Sequence, residues 1–143
     1  MGFLRIERSA IAHIGVSSIG TSLLAWYCLS RPLTGLQEGG LALAIAAFLL
    51  WATARLQLGK SFSVSPQAKA LVTRGIYSRI RNPIYTFGLL WIVGLILAVG
   101  HPAWLVILLV LIPMQIVRAK KEARVLEEKF GDEYRAYRAR TWF

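Results

Sequence analysis

The chain has 143 residues, 56% of them apolar, with 17 Lys and Arg against 7 Asp and Glu, a net charge of +10 and a mean hydropathy of +0.53. This composition excludes an ordinary soluble domain and a disordered basic tail. The charges stand between long uncharged apolar stretches, a pattern that favours a lipid bilayer and no nucleic-acid partner.

In chain order, Met1 to Arg8 and the apolar run behind them resemble a signal peptide. No small-residue cleavage site follows, the residues before Cys28 form no lipobox, and Ile6 stands where a myristoylation signal needs Ser or Thr. The run therefore reads as a retained first helix over about residues 9–30. Cys28 is the single cysteine, so an intramolecular disulfide, a CxxC pair and a thiolate zinc cluster are excluded, and it reads as a packing residue. A second span over about residues 41–58 follows, with Arg55 snorkelling to the interface. Residues 59–82 carry Ser65-Pro66 and Gly75 as turn signals and read as an irregular loop. Asn82 then stands as N-cap and Pro83 at the first helical position, where a missing N–H costs nothing.

From Asn82 to Val117 no residue is charged. As one helix this stretch would measure about 54 Å, against a hydrocarbon core of about 30 Å. Gly100-His101-Pro102 at its midpoint marks a turn, so the stretch reads as a tight helical hairpin with spans over about 83–99 and 103–118. Pro113 lies inside the second arm, helical charge spacing continues to Phe130, and Gly131 ends the helix. The expected fold is all-α: one integral membrane helical bundle over residues 1–143, with four transmembrane helices and a cytoplasmic C-terminal helix.

Lys and Arg mark the cytoplasmic side of such a bundle. The N-terminus holds Arg5 and Arg8, the segment from Arg55 to Arg81 holds six, and the tail from Arg118 holds eight, leaving only Arg31 for the opposite face. Both termini and the long 59–82 connection are thus expected in the cytoplasm, in a membrane of the bacterial inner-membrane type.

The polar groups that could carry chemistry collect on that face. Arg118 and Glu122, four residues apart, emerge together from the projecting helix; a surface ion pair is the plain alternative. Tyr77, Arg81, Asn82 and Tyr85 cluster at the mouth of the third span, where interfacial anchoring is the plain alternative. His13 and His101 fall on opposite faces without acidic partners, so no metal site is expected, and His13 reads as a helix-contact residue. The tryptophans read as packing and interface residues, and Gly88, Gly94 and Gly100 as points of close approach or turning. There is no GxGxxG after a strand and no Walker sequence. No acidic residue lies in a predicted span, which argues against a proton-coupled transporter.

Taken together, LVTRGIYSRIRNPIY (Leu71 to Tyr85) and Glu122 followed by Leu126 and FGDEYRAYRART (Phe130 to Thr141) resemble the isoprenylcysteine carboxyl methyltransferase and phospholipid methyltransferase superfamily. Its patterns are LVTxGxYxxxRHPxY and ExxxLxxxFGxxYxxYxxR, separated by a helical hairpin. The resemblance implies methyl transfer from S-adenosyl-L-methionine, with S-adenosyl-L-homocysteine as product, at the cytoplasmic surface. It implies cofactor contacts from Leu71, Val72, Tyr77, Asn82, Pro83, Ile84, Tyr85 and Glu122, and catalytic roles for Arg118, Glu122 and Arg81, with Arg118 directed to the acceptor.

The chemistry agrees: arginines and a helix N-terminus suit a carboxylate, Glu122 and tyrosine faces suit an amine and a sulfonium, and apolar side chains suit adenine. Asn82 replaces the family's common His, Ala123 replaces a second acidic residue, and the glycine after the motif tyrosine stands at Gly88. The implied acceptor is small and amphiphilic or lipid-like: a prenylated cysteine carboxylate, a phospholipid amine and a small thiol stay open. A non-catalytic membrane binding or assembly protein on the same scaffold is the alternative, and a small transporter a more distant one.

Overall fold

The computed structural model describes residues 2–58 and 71–143, with side chains from Ile11 onward. The first part of the expected irregular loop, residues 59–70 with the Ser65-Pro66 turn signal, lies outside the described residues. Among the described residues the fold is all-helical: α1 (Gly2–Leu29), α2 (Gly35–Leu58), α3 (Pro83–Val99), α4 (Leu108–Phe130) and α5 (Asp132–Arg140), with 3-10 turns over Gly75–Ser78 and Pro102–Ile107. Three helical stretches are long and apolar enough to cross a membrane: Ile11–Leu29, Gly35–Leu58 and Pro102–Phe130. At 17 residues, α3 is apolar but measures only about 25 Å.

α2 begins six residues before the expected start because Thr34 and Gln37 form a capping box. The Gln37 N–H donates to Thr34 Oγ1 at 3.4 Å, and the Thr34 N–H donates to Gln37 Oε1 at 3.0 Å. These reciprocal bonds satisfy amides that the first turn leaves without helical partners.

The centre of the bundle is the pairing of α2 with α3, and small residues make it. A Cβ on Gly94 would collide with the backbone of Ala44, and one on Gly40 would stand 2.6 Å from the Ala98 nitrogen. Such close backbone approach is how helices associate where lipid is as apolar as the side chains. Phe48, Trp51 and Trp91 fill the other side of the seam, with ring centroids 5.3–6.0 Å apart. Cys28, as expected, is a packing residue: it is buried with Leu41 and Ala98, where Leu24 and Ala25 of α1 and Leu33 of the following loop pack against them.

The hairpin is corrected in one respect. Its turn stands where expected, with Gly100 left-handed at φ +86°, but α3 packs along α2 and meets α4 only sparsely. The second arm starts as a 3-10 turn rather than as α-helix. Its apolar face, including Leu109, Val110, Met114 and Val117, is exposed. His13 is also exposed, so the helix contact expected for it is not made by the described chain.

Candidate functional site

The segment entering α3 is held from below by the last turn of α2. Gly75 adopts φ +62°, and any side chain there would run into Gln57. The Ile76 N–H donates to Gln57 Oε1 at 2.9 Å. The glycine of the motif is thus required for its backbone angle, and a side chain there would also displace the Gln57 amide that holds Ile76. The 3-10 turn then buries Tyr77, whose hydroxyl donates to the Ala54 carbonyl at 3.4 Å. Arg55, expected to snorkel, is instead 3% exposed and close enough to Tyr77 for its charge to act on that hydroxyl. Its burial beside the docked turn is not revealed by a helix read in isolation.

Asn82 and Pro83 stand at the N-cap and first-turn positions as expected. The Asn82 carbonyl accepts from the Tyr85 and Thr86 amides, both at 3.1 Å. Its side chain makes no cap bond. The N–H of Asn82 itself is met by the chain's own tail, donating to the Phe143 main-chain oxygen at 3.0 Å. Pro83 has no N–H and the Asn82 N–H is engaged, so these two positions offer no amide to a carboxylate.

The two motif halves meet one turn into α3. The Tyr85 hydroxyl donates to Glu122 Oε2 at 2.8 Å, a bond between residues 37 apart in sequence. The Arg118 guanidinium carbon lies 5.7 Å from the Tyr85 ring centroid, within cation–π range. Tyr85, Arg118 and Glu122 therefore form one cluster that joins α3 to the emerging part of α4. Leu71, Val72 and Ile84 are partly buried on the segment that leads into it.

A second junction closes the other side. After Gly131, α5 turns back and buries Tyr134 and Tyr137, at 1% and 4% exposure. The Tyr137 hydroxyl donates to the Tyr77 carbonyl at 2.8 Å. Glu127 on α4 clamps the turn, accepting from Arg135 Nε at 2.9 Å, with Arg138 Nη1 at 3.8 Å. Burial, reinforced by Tyr134, pushes the Tyr137 hydroxyl up to about 12. Burial, then the negative charge of Glu122, also raises Tyr77 well above the usual tyrosine value. The positive charge of Arg81 acts on both Tyr134 and Tyr137 in the opposite sense and is outweighed by burial.

Tyr134 and Tyr137 were part of the quoted motif without an assigned role; their spacing of three on a short helix is the signal that both face inward. Gln57 and the tail residues Trp142 and Phe143 carried no signal, because their partners are backbone groups. Among the described residues no three His, Cys, Asp or Glu side chains come together as metal ligands.

The arrangement is a polar, partly buried cluster at the end of an apolar helix pair, with one carboxylate, nearby arginines and no clustered metal ligands among the described residues. A family model for phospholipid methyltransferase matches residues 36–133, from the first turn of α2 to the first turn of α5. No curated protein and no solved structure matches the chain at a significant level. The match covers more than half of the chain and includes both halves of the Tyr85–Glu122 cluster, so the chain belongs to the phospholipid methyltransferase family, within the superfamily of integral membrane methyltransferases.

Proposed function

We propose that the protein is an S-adenosylmethionine-dependent methyltransferase acting on a small amphiphilic or lipid-like acceptor at the cytoplasmic face of a membrane. The observation that carries the reading is the 2.8 Å bond from Tyr85 to Glu122, which joins the two motif halves across the family match. The donor set fits the cofactor. Glu122 offers a carboxylate to its cationic amine and sulfonium, Arg118 and Arg81 offer charge to its carboxylate or to an acidic acceptor, the Tyr85 face suits a cation, and Leu71, Val72 and Ile84 suit adenine.

When bound, the cofactor supplies a methyl group on an already activated carbon. The chain's own residues need only bind, orient and exclude water, and well-oriented reactants alone can gain several orders of magnitude in rate. Tyr85 holds the Glu122 carboxylate in one orientation; Tyr77, buried under Tyr137, holds the segment that delivers Arg81 and Asn82.

Four crossings with both termini cytoplasmic suit this reading. At about 25 Å, α3 falls a few ångströms short of a typical hydrocarbon core, a mismatch that local thinning and its flanking residues accommodate. Lys and Arg gather at the ends of the helices where the cluster lies.

The test is transfer of labelled methyl from S-adenosylmethionine to a fractionated membrane extract, with calorimetry of S-adenosylhomocysteine binding in nanodiscs. Glu122→Ala and Arg118→Ala are expected to abolish or severely weaken transfer while the protein still folds. Normal transfer by both variants, or no binding of the homocysteine product in detergent or nanodiscs, refutes the assignment.

A further inference from the structure

Residues 141–143 lie beyond the family match, which ends at residue 133, yet they meet the site segment through main-chain atoms. The Trp142 N–H donates to the Arg79 carbonyl at 2.8 Å. The Arg81 N–H donates to the oxygens of Trp142 at 2.9 Å and Phe143 at 3.1 Å, and the Asn82 N–H donates to Phe143 at 3.0 Å. Ile80 and Trp142 form a parallel bridge, the sole sheet-like pairing among the described residues. The Trp142 side chain is 80% exposed and that of Phe143 52%, so their bulk contributes little to the docking.

The pairing spans the residues that place Arg81 and Asn82 at the mouth of α3. Without it, the Arg81 and Asn82 amides would need other partners. With it, the main chain on both sides of the Arg81–Asn82 peptide bond is held by the tail. Tyr137, on the helix that carries the tail, anchors the preceding turn through the Tyr77 carbonyl. Two contacts from one element therefore fix both ends of the stretch from Tyr77 to Asn82.

We propose that the main chain of Trp142 and Phe143 is a positioning element of the methyl-transfer site, holding Arg81 and Asn82 in register for ligand binding. This rests on the methyltransferase reading. Its dependence is on backbone atoms, so it separates from side-chain effects.

The experiment compares S-adenosylhomocysteine binding and methyl transfer, in nanodiscs, by the full chain, a form lacking Trp142 and Phe143, the double variant Trp142→Ala with Phe143→Ala, and Trp142→Pro, which removes the N–H that donates to Arg79. Deletion is expected to weaken binding about tenfold or more, since several hydrogen bonds that hold the segment are lost together. The alanine pair is expected to stay within about twofold, and Trp142→Pro to weaken binding by about threefold or more.

The readout that a merely structural role would not move is a loss of S-adenosylhomocysteine affinity at an unchanged thermal unfolding midpoint, and amide hydrogen exchange reports the pairing itself. Arg81 and Asn82 lose protection in the deletion form while the α2–α3 pair keeps its own. If the deletion form does not fold, Trp142→Pro decides on the same measurements. Unchanged binding after deletion overturns the proposal, and tighter binding overturns it in favour of a tail that competes for the amides. Equal losses from the alanine pair and the deletion also overturn it. No binding by the full chain refutes the methyltransferase reading and this inference with it, whereas binding by the full chain that deletion leaves unchanged refutes this inference alone.

Discussion

Tyr85→Phe tests the joint between the two motif halves with the smallest change available. The substitution removes one oxygen and leaves the ring under Arg118, 5.7 Å from its guanidinium carbon. What is lost is a 2.8 Å bond to a carboxylate. Hydrogen bonds to charged groups contribute about 1.5–3 kcal/mol, and because Glu122 is only partly buried the lower end applies, about 1.5 kcal/mol. If that energy orients Glu122 for a ligand, it appears as about a tenfold loss of affinity for S-adenosylhomocysteine.

The assay is a double-mutant cycle with Tyr85→Phe and Glu122→Gln, read by calorimetry in nanodiscs and, separately, by thermal unfolding. A coupling of about 1 kcal/mol or more in binding is expected, because Tyr85→Phe removes the donor and Glu122→Gln replaces the charged acceptor by a neutral one, so the charge-assisted part of the bond is lost in either. Additivity within about 0.3 kcal/mol in both readouts would show that the two side chains act independently and would remove the central observation from the functional reading.

Three other outcomes follow from the packing. Tyr137→Phe removes a buried bond to the Tyr77 carbonyl and should cost about 1–2 kcal/mol of stability, measured as a lowered unfolding midpoint; no shift would mean that α5 is not anchored there. Gly94→Val places a side chain against the backbone of Ala44 and should destabilise by about 2 kcal/mol or more, whereas Gly39→Ala, with open space around its Cα, should be neutral or stabilising by up to about 1 kcal/mol. Equal effects at the two glycines would contradict the close α2–α3 seam.

Alkaline titration should unfold the protein by way of Tyr77 and Tyr137, which keep their protons in the fold to values above the ordinary 10.0, in Tyr137 up to about 12. The raised values mean that their contribution is complete below about pH 10 and is lost as pH rises above it, for Tyr137 through about 12. A shallower decline in Tyr137→Phe is the check, and an identical decline would refute its part.

Much of the helical content was legible because its signals are local. The uncharged stretches, the Asn82-Pro83 start, the Gly100 turn and the Gly131 stop each depend on residues within one turn of one another. The errors arose where a distant element decides. Arg55 reads as a snorkelling residue from its position at the end of an apolar run, and its burial beside the docked 3-10 turn is a tertiary feature. The Gly100 turn is legible, but which neighbour α3 packs against is not, since the small residues Gly40, Ala44, Gly94 and Ala98 identify their partners only when two helices are set side by side. At the site, Tyr85 and Glu122 are visible as members of two motifs, but their hydrogen bond crosses 37 positions. The tail pairing leaves no trace in residue type at all, because main-chain donors and acceptors are the same in every residue but proline.

These differences bear on how a site can be built at the edge of a bilayer. α2 and α3 are locked by backbone contact, and they carry Gln57, Asn82 and Tyr85 on one rigid unit. α4 is only loosely applied to that unit along its apolar length, yet Arg118 and Glu122 must meet Tyr85 to a fraction of an ångström if positioning is the main source of rate. The precision therefore has to come from outside the hydrocarbon region. The Glu127 clamp, the buried Tyr134 and Tyr137 and the tail pairing supply it by returning α5 to the segment before α3, which closes a ring of contacts from α2 through α3, α4 and α5 back to α2. Loose packing of α4 within the apolar layer is compatible with a precise cluster because the ring fixes α4 at the end where the chemistry is proposed, while its other end remains open to lipid.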